Sequence, residues 1–228
     1  MFLLPRLWGR GAFGKHQSMT ISDLITAAFQ QAADKYPHVQ DAWLKASVHI
    51  GGLMPNSLLM PSIQNDGRLD VVLYSMEDEL GAELQNSVHR PMLALTFQTL
   101  LSEVWIGRVY ETVRLLVDRK LAPNIDQVKF LLQDLRLVRV PLEKHEIASQ
   151  GQLTQPIQMQ RQPPKGDSSD LYEYSKTDPT RSHIMPIRYS QRGSITWGLL
   201  DLHTNQEKVG RAARPIQSVP IDLGVRRV

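Results

Sequence analysis

Seven His in 228 residues, and no Cys at all, bound the chemistry open to this chain. Without Cys there is no thiol nucleophile, no disulfide frame and no Cys-held zinc or iron–sulfur cluster. No two His stand at the i, i+4 spacing that puts both on one helical face, and H-E-x-x-H is absent, so no metal is expected. No cofactor is expected either. Gly9-Arg10-Gly11-Ala12-Phe13-Gly14-Lys15 has the G-x-x-x-x-G-K spacing of a phosphate-cradling loop. His16 follows where Ser or Thr should hold magnesium, and Pro5 and Arg6 spoil a strand before it, so a basic leader is the better reading. Glu77-Asp78-Glu79 is no acid/base pair, because consecutive side chains diverge around a helix.

Two constellations remain. Arg139-Val140-Pro141-Leu142-Glu143-Lys144-His145 has R-x5-H spacing and resembles the motif of the HEPN family of helical-bundle ribonucleases, over 7 positions. The resemblance implies that Arg139 and His145 face a cleft, usually shared by two subunits, and act on an RNA backbone with His145 as acid or base. An imidazole suits that role because it titrates near neutrality. Val140 after the Arg and Pro141 between the pair depart from the family pattern. Read from the residues alone, Arg139 and His145 are solvated helix-end side chains. The second constellation is Arg188, Tyr189, Arg192 and Trp197, cations mixed with rings, which suits an interaction surface or stacking on bases. Alternatively Tyr189 and Trp197 turn inward and dock a hairpin whose edge Arg188 and Arg192 guard.

These side chains need elements to hold them. Thr20 and Asp23 make a capping box, and Leu24, Ile25, Ala28, Ala32 and Tyr36 follow at helical spacing until Pro37. A second helix is expected over 41–50, carrying Trp43, Ala46 and Ile50, ended by Gly51-Gly52. Pro55, Pro61 and Asn65-Asp66-Gly67 make 53–67 read as an irregular connection. A third helix is expected over 69–84, with a short strand at 70–75 as the alternative. The longest runs from Met92 to about Arg119, with Leu93, Phe97, Leu100 and Val104 on one face and Val109, Val113, Leu116 and Val117 nearly opposite. Both faces should be covered, leaving Arg108, Glu111 and Arg114 to pair along a polar strip. Asn124 and Gln127 cap a further helix with the stripe Ile125, Val128, Leu131, Leu132, Leu135 and Val138, which Pro141 should end or kink.

The expected architecture is therefore mainly α: a bundle of about five helices over 19–148, with a small C-terminal β-hairpin and irregular or disordered ends. Six Gln between 150 and 162, then Pro163-Pro164, make 149–182 read as a linker or mobile insertion. Alternation of Met185, Ile187 and Tyr189, a turn at Gln191-Arg192-Gly193, and alternation of Ile195, Trp197 and Leu199 predict the hairpin within 183–203. Residues 1–18 carry +3 and read as a leader outside the fold, 19–148 carry −4, and 149–228 carry +4, with 204–228 a basic tail. The leader suits an organellar transit peptide weakly, and translation beginning at Met19 is a further reading. No stretch of about 20 apolar residues occurs, so no membrane insertion is expected, and a Cys-free chain fits the cytoplasm. The function expected is that of a non-catalytic interaction protein binding a protein partner or its own copy. The alternatives are the ribonuclease above and a nucleic-acid-binding module resting on the basic ends.

Overall fold

The computed structural model describes residues 19–86, 92–122, 124–161, 170–203 and 206–211. The leader with its Gly-rich pattern and the chain beyond 211 lie outside the described residues. The protein is mainly α, with five helices followed by two small antiparallel sheets. The helices are α1 Ile21–Lys35, α2 Pro37–Gly52, α3 Leu59–Gln85, α4 Met92–Asp118 and α5 Ile125–Lys144. A 3-10 turn at Gln150–Gln152 leads to β1 Ile157–Arg161 and β2 Asp170–Tyr174, which pair with each other. A meander of β3 Ile187–Tyr189, β4 Ile195–Asp201 and β5 Gln206–Arg211 completes the fold. No helix among the described residues is long and apolar enough to cross a membrane.

Local signals explain several boundaries. Thr20 accepts from the Asp23 N–H, while Asp23 accepts from the Thr20 N–H at 2.9 Å, the reciprocal cap that the sequence contains. Pro37 both ends α1 and opens α2, because its missing N–H costs nothing in a first turn. Asn124 stands at the N-cap of α5, but its side chain makes no capping bond.

Two expected breaks are not breaks. Asn65-Asp66-Gly67 lies inside α3, and Pro61 falls in its first turn, where proline is tolerated. Tertiary contacts override the turn preference: Asp66 is buried against Arg108, and Gly67 lets α2 approach so closely that a Cβ there would sit 2.5 Å from the Trp43 Cβ. Pro141 likewise lies within α5, which runs on to a left-handed cap at His145. Burial of the proline ring in the bundle offsets the backbone bond it removes.

The main core joins Trp105, Ile106 and Val109 of α4, Leu131 and Leu135 of α5, and Ile195, Trp197 and Leu199 of β4. Smaller clusters lie under α1 (Ala32, Tyr36, Val71, Tyr74) and at the far end of α2 (Ile50, Ile63, Leu116). Trp43 packs against all three, and its Nε1 donates to Asp70 at 2.7 Å. The turn before β4 plugs the space between α3 and α4. Gly193 has φ +82°, its carbonyl accepts from Gln98 Nε2 at 2.9 Å, and Ser194 donates to Glu77 at 2.9 Å. A Cβ on Gly193 would lie 2.0 Å from the Glu77 carbonyl oxygen, so only glycine fits there.

Residues 149–182 hold the 3-10 turn and the β1–β2 pair, and Tyr174 is buried with its hydroxyl accepting from the Ile147 N–H at 3.1 Å. Gln158 and Gln160 lie in β1 and pair with Glu173 and Leu171 of β2, a backbone pairing that composition does not register. The third strand, β5, begins just past the expected hairpin and covers the free edge of β4.

Candidate functional site

α4 packs against α3 on one side and α5 on the other. Between them, one face of α4 is the floor of an open groove of about 700 Å³. Leu59 and Ser62 of α3 form one wall, and Arg139, Leu142 and Glu143 of α5 form the other. Leu100 and Val104 of α4 lie on the floor at 50% and 45% exposure. One and two turns toward the start of the helix, Leu93 and Phe97 continue the same face at 64% and 49% exposure. The expectation that this stripe is covered therefore fails: within the described residues it faces outward. The opposite side of α4 is covered, because Trp105, Ile106, Val109 and Val113 pack into the main core.

Two anchored arginines edge the groove. Arg108 leaves the strip on which it was expected to pair and reaches across to α3, where its Nε donates to Asp66 at 2.5 Å. Burial pushes the Asp66 carboxyl above its ordinary range, while bonds from Arg108 and Thr112 pull against that shift. Arg114 does pair along the strip, with Glu111 at 2.7 Å and Asp118 at 2.8 Å.

Arg139 is the one member of the Arg139/His145 pair that lines the groove. Its guanidinium grips Glu143 through two bonds of 2.8 Å, meets Glu111 at 3.0 Å and stacks 4.4 Å from the Tyr110 ring centroid. Two carboxylates thus neutralise it and fix its plane. His145 is an exposed helix cap with φ 55°, and its carbonyl accepts from the His183 N–H at 2.7 Å.

Glu103 completes the groove and has no ion pair or hydrogen bond among the described residues. Partial burial beside Leu100 and Val104 raises its carboxyl above the ordinary range. The lining thus includes three carboxylates, Glu103, Glu111 and Glu143, against two guanidinium groups, both already paired. Its balance is acidic.

The four hairpin residues do not act as one surface. Trp197 is wholly buried in the main core. Arg188, Tyr189 and Arg192 are exposed. Tyr189 pairs with Ile195 and shares its face, yet stays 38% exposed, because β3 is an edge strand at the rim of the helical cover. Its hydroxyl lies 3.5 Å from Thr99 Oγ1 of α4.

Asp70 and His183 are buried ionisable groups outside the groove whose titration is shifted. Asp70 is pushed up to about 7, chiefly by burial, with the Trp43 bond opposing and the Glu77 charge adding to the rise. Burial lowers the His183 imidazole pKa, so the ring is neutral at pH 7, and it stands edge-on to Tyr174 at 6.4 Å. No group of three or more potential metal ligands occurs among the described residues.

Sequence reading missed Asp66, Glu103 and Glu143 as site residues. The usable signal was the four-three-four spacing of Leu93, Phe97, Leu100 and Val104, a narrow seam of the kind helices present to other helices. Comparison of the chain with protein-family models, with curated proteins and with solved structures finds no match.

Proposed function

We propose that this is a non-catalytic helical interaction protein that engages a protein partner, or a second copy of itself, through the open face of α4. One observation carries the reading: a Leu, Phe, Leu, Val seam is half-exposed along one helix and runs into a groove on the same face. Contiguous apolar surface of this kind is costly to leave in water and commonly marks a protein contact. The competing ribonuclease reading needs Arg139 free to meet a phosphate. Arg139 is instead held by Glu111 and Glu143, and an acidic lining repels a nucleic-acid backbone. That lining also counts against the nucleic-acid-binding alternative at this face. The proposed compartment is the cytoplasm, where a Cys-free chain loses nothing to the reducing conditions.

Gel filtration with light scattering on the full chain at moderate salt tests the reading. The expected result is a self-assembly or a stoichiometric complex that Leu100→Glu disperses while the helical circular dichroism is unchanged. A wild-type monomer without a partner that cuts single-stranded RNA in the absence of metal, with cutting abolished by His145→Ala, would contradict it and favour the ribonuclease.

A further inference from the structure

We propose that the groove on α4 receives an amphipathic helix of a protein partner, one with apolar residues at three- and four-residue spacing and a Lys or Arg placed to meet Glu103. This rests on the interaction reading above and narrows it to one kind of occupant. Three observations carry it. The exposed seam has the spacing Leu93, Phe97, Leu100, Val104, which matches the ridge of another helix and not the two-residue repeat of a strand.

The shape of the groove also selects the occupant. At Leu100 and Val104 the helix lies between the walls made by α3 and α5, so the surface is concave there. Two such floors cannot meet face to face, which disfavours the same α4 face of a second copy. A single helix, about 10 Å across, can lie along the floor.

The third observation is charge. Among the described residues, Glu103 stands beside apolar groups without an ion-pair partner, whereas Glu111 and Glu143 share Arg139. A basic side chain from the occupant would supply the missing partner where water is partly excluded, so the pair would count for more than one on an open surface. An acidic occupant would instead face three carboxylates. The apolar stem of a Lys or Arg would also extend cover over Leu100 and Val104.

Two synthetic peptides test this against the full chain by fluorescence anisotropy. Both have Leu at alternating three- and four-residue spacing, with the remaining positions Lys in one and Glu in the other. The Lys peptide is expected to bind about tenfold more tightly, with an affinity that falls as salt rises. Glu103→Gln should weaken it about three- to tenfold, while Asp126→Asn, which neutralises an exposed acid at the start of α5, should leave it unchanged. Phe97→Ser should weaken it without changing the circular dichroism. Equal binding of the two peptides, or equal losses in Glu103→Gln and Asp126→Asn, would overturn the proposal and leave the interaction reading standing. Binding of neither peptide would overturn it too, and the dispersal of the assembly by Leu100→Glu would then decide the broader reading by itself.

Discussion

The two faces of α4 were built from similar side chains and met opposite fates. On one, Trp105, Ile106, Val109 and Val113 are closed over by α5 and β4. On the other, Leu93, Phe97, Leu100 and Val104 remain half-exposed, while the polar Gln98 and Ser102 of the same stretch are buried at 1% and 2%. The turn between β3 and β4 explains the inversion. Its Gly193 carbonyl needs a donor between α3 and α4, and Gln98 turns inward to give it, which commits the neighbouring Leu and Phe to the outside. An apolar stripe therefore announces that something must cover it, but not that the same chain will.

Mutations on each side should separate the two faces. The largest expected loss is from Trp105→Ala, about 3 to 5 kcal/mol by chemical denaturation, because it empties a fully buried indole site shared by α4 and the main core. Gly193→Ala should follow at about 3 kcal/mol, since it combines a left-handed backbone with a Cβ driven into Glu77 and Gly81. If Gly193→Ala also weakened peptide binding, the turn would be shown to hold the open face in place as well as the closed one.

An effect smaller per pH unit should appear on titration. Asp70 has its carboxyl raised to about 7 in the folded chain, so the native state keeps a proton that the unfolded chain releases. Its contribution is thus complete at low pH and declines as pH rises from about 4 to about 7, at no more than about 1.4 kcal/mol per pH unit. Asp70→Asn should flatten that slope in urea melts taken across the window. An unchanged slope would mean that Asp70 is ionised in the fold. The smallest effect belongs to the open face: Phe97→Ser and Leu100→Ser should alter monomer stability by less than about 0.5 kcal/mol, as exposed positions do. A loss there as large as that of Trp105→Ala would show the face to be part of the core.

What the sequence disclosed follows from which forces are local. The Thr20/Asp23 cap and the α5 stripe of Val128, Leu131, Leu135 and Val138 depend on neighbours a few residues away, and both hold in the structure. The alternation of Ile195, Trp197 and Leu199 likewise buried one side of β4 as expected. Asn65-Asp66-Gly67 misled, because a turn preference worth about 1 kcal/mol yields to an ion pair and an indole contact from elements 24 and 42 residues away. The groove was hidden for the same reason: it is assembled from three helices, and no run of residues spells it. Of the two candidate sites, Arg139 was brought to the groove and His145 was left at a helix end, while Trp197 was separated from Arg188, Tyr189 and Arg192 by burial.

The most direct test places a benzophenone amino acid singly at Phe97, Leu100 and Val104 in the full chain, with Arg136 on the outer side of α5 as the control position, and irradiates living cells. One discrete protein adduct, shared by the three α4 positions and absent from the control, is expected. Adducts at Arg136 equal to those at Phe97, or none at any of the three, would contradict it.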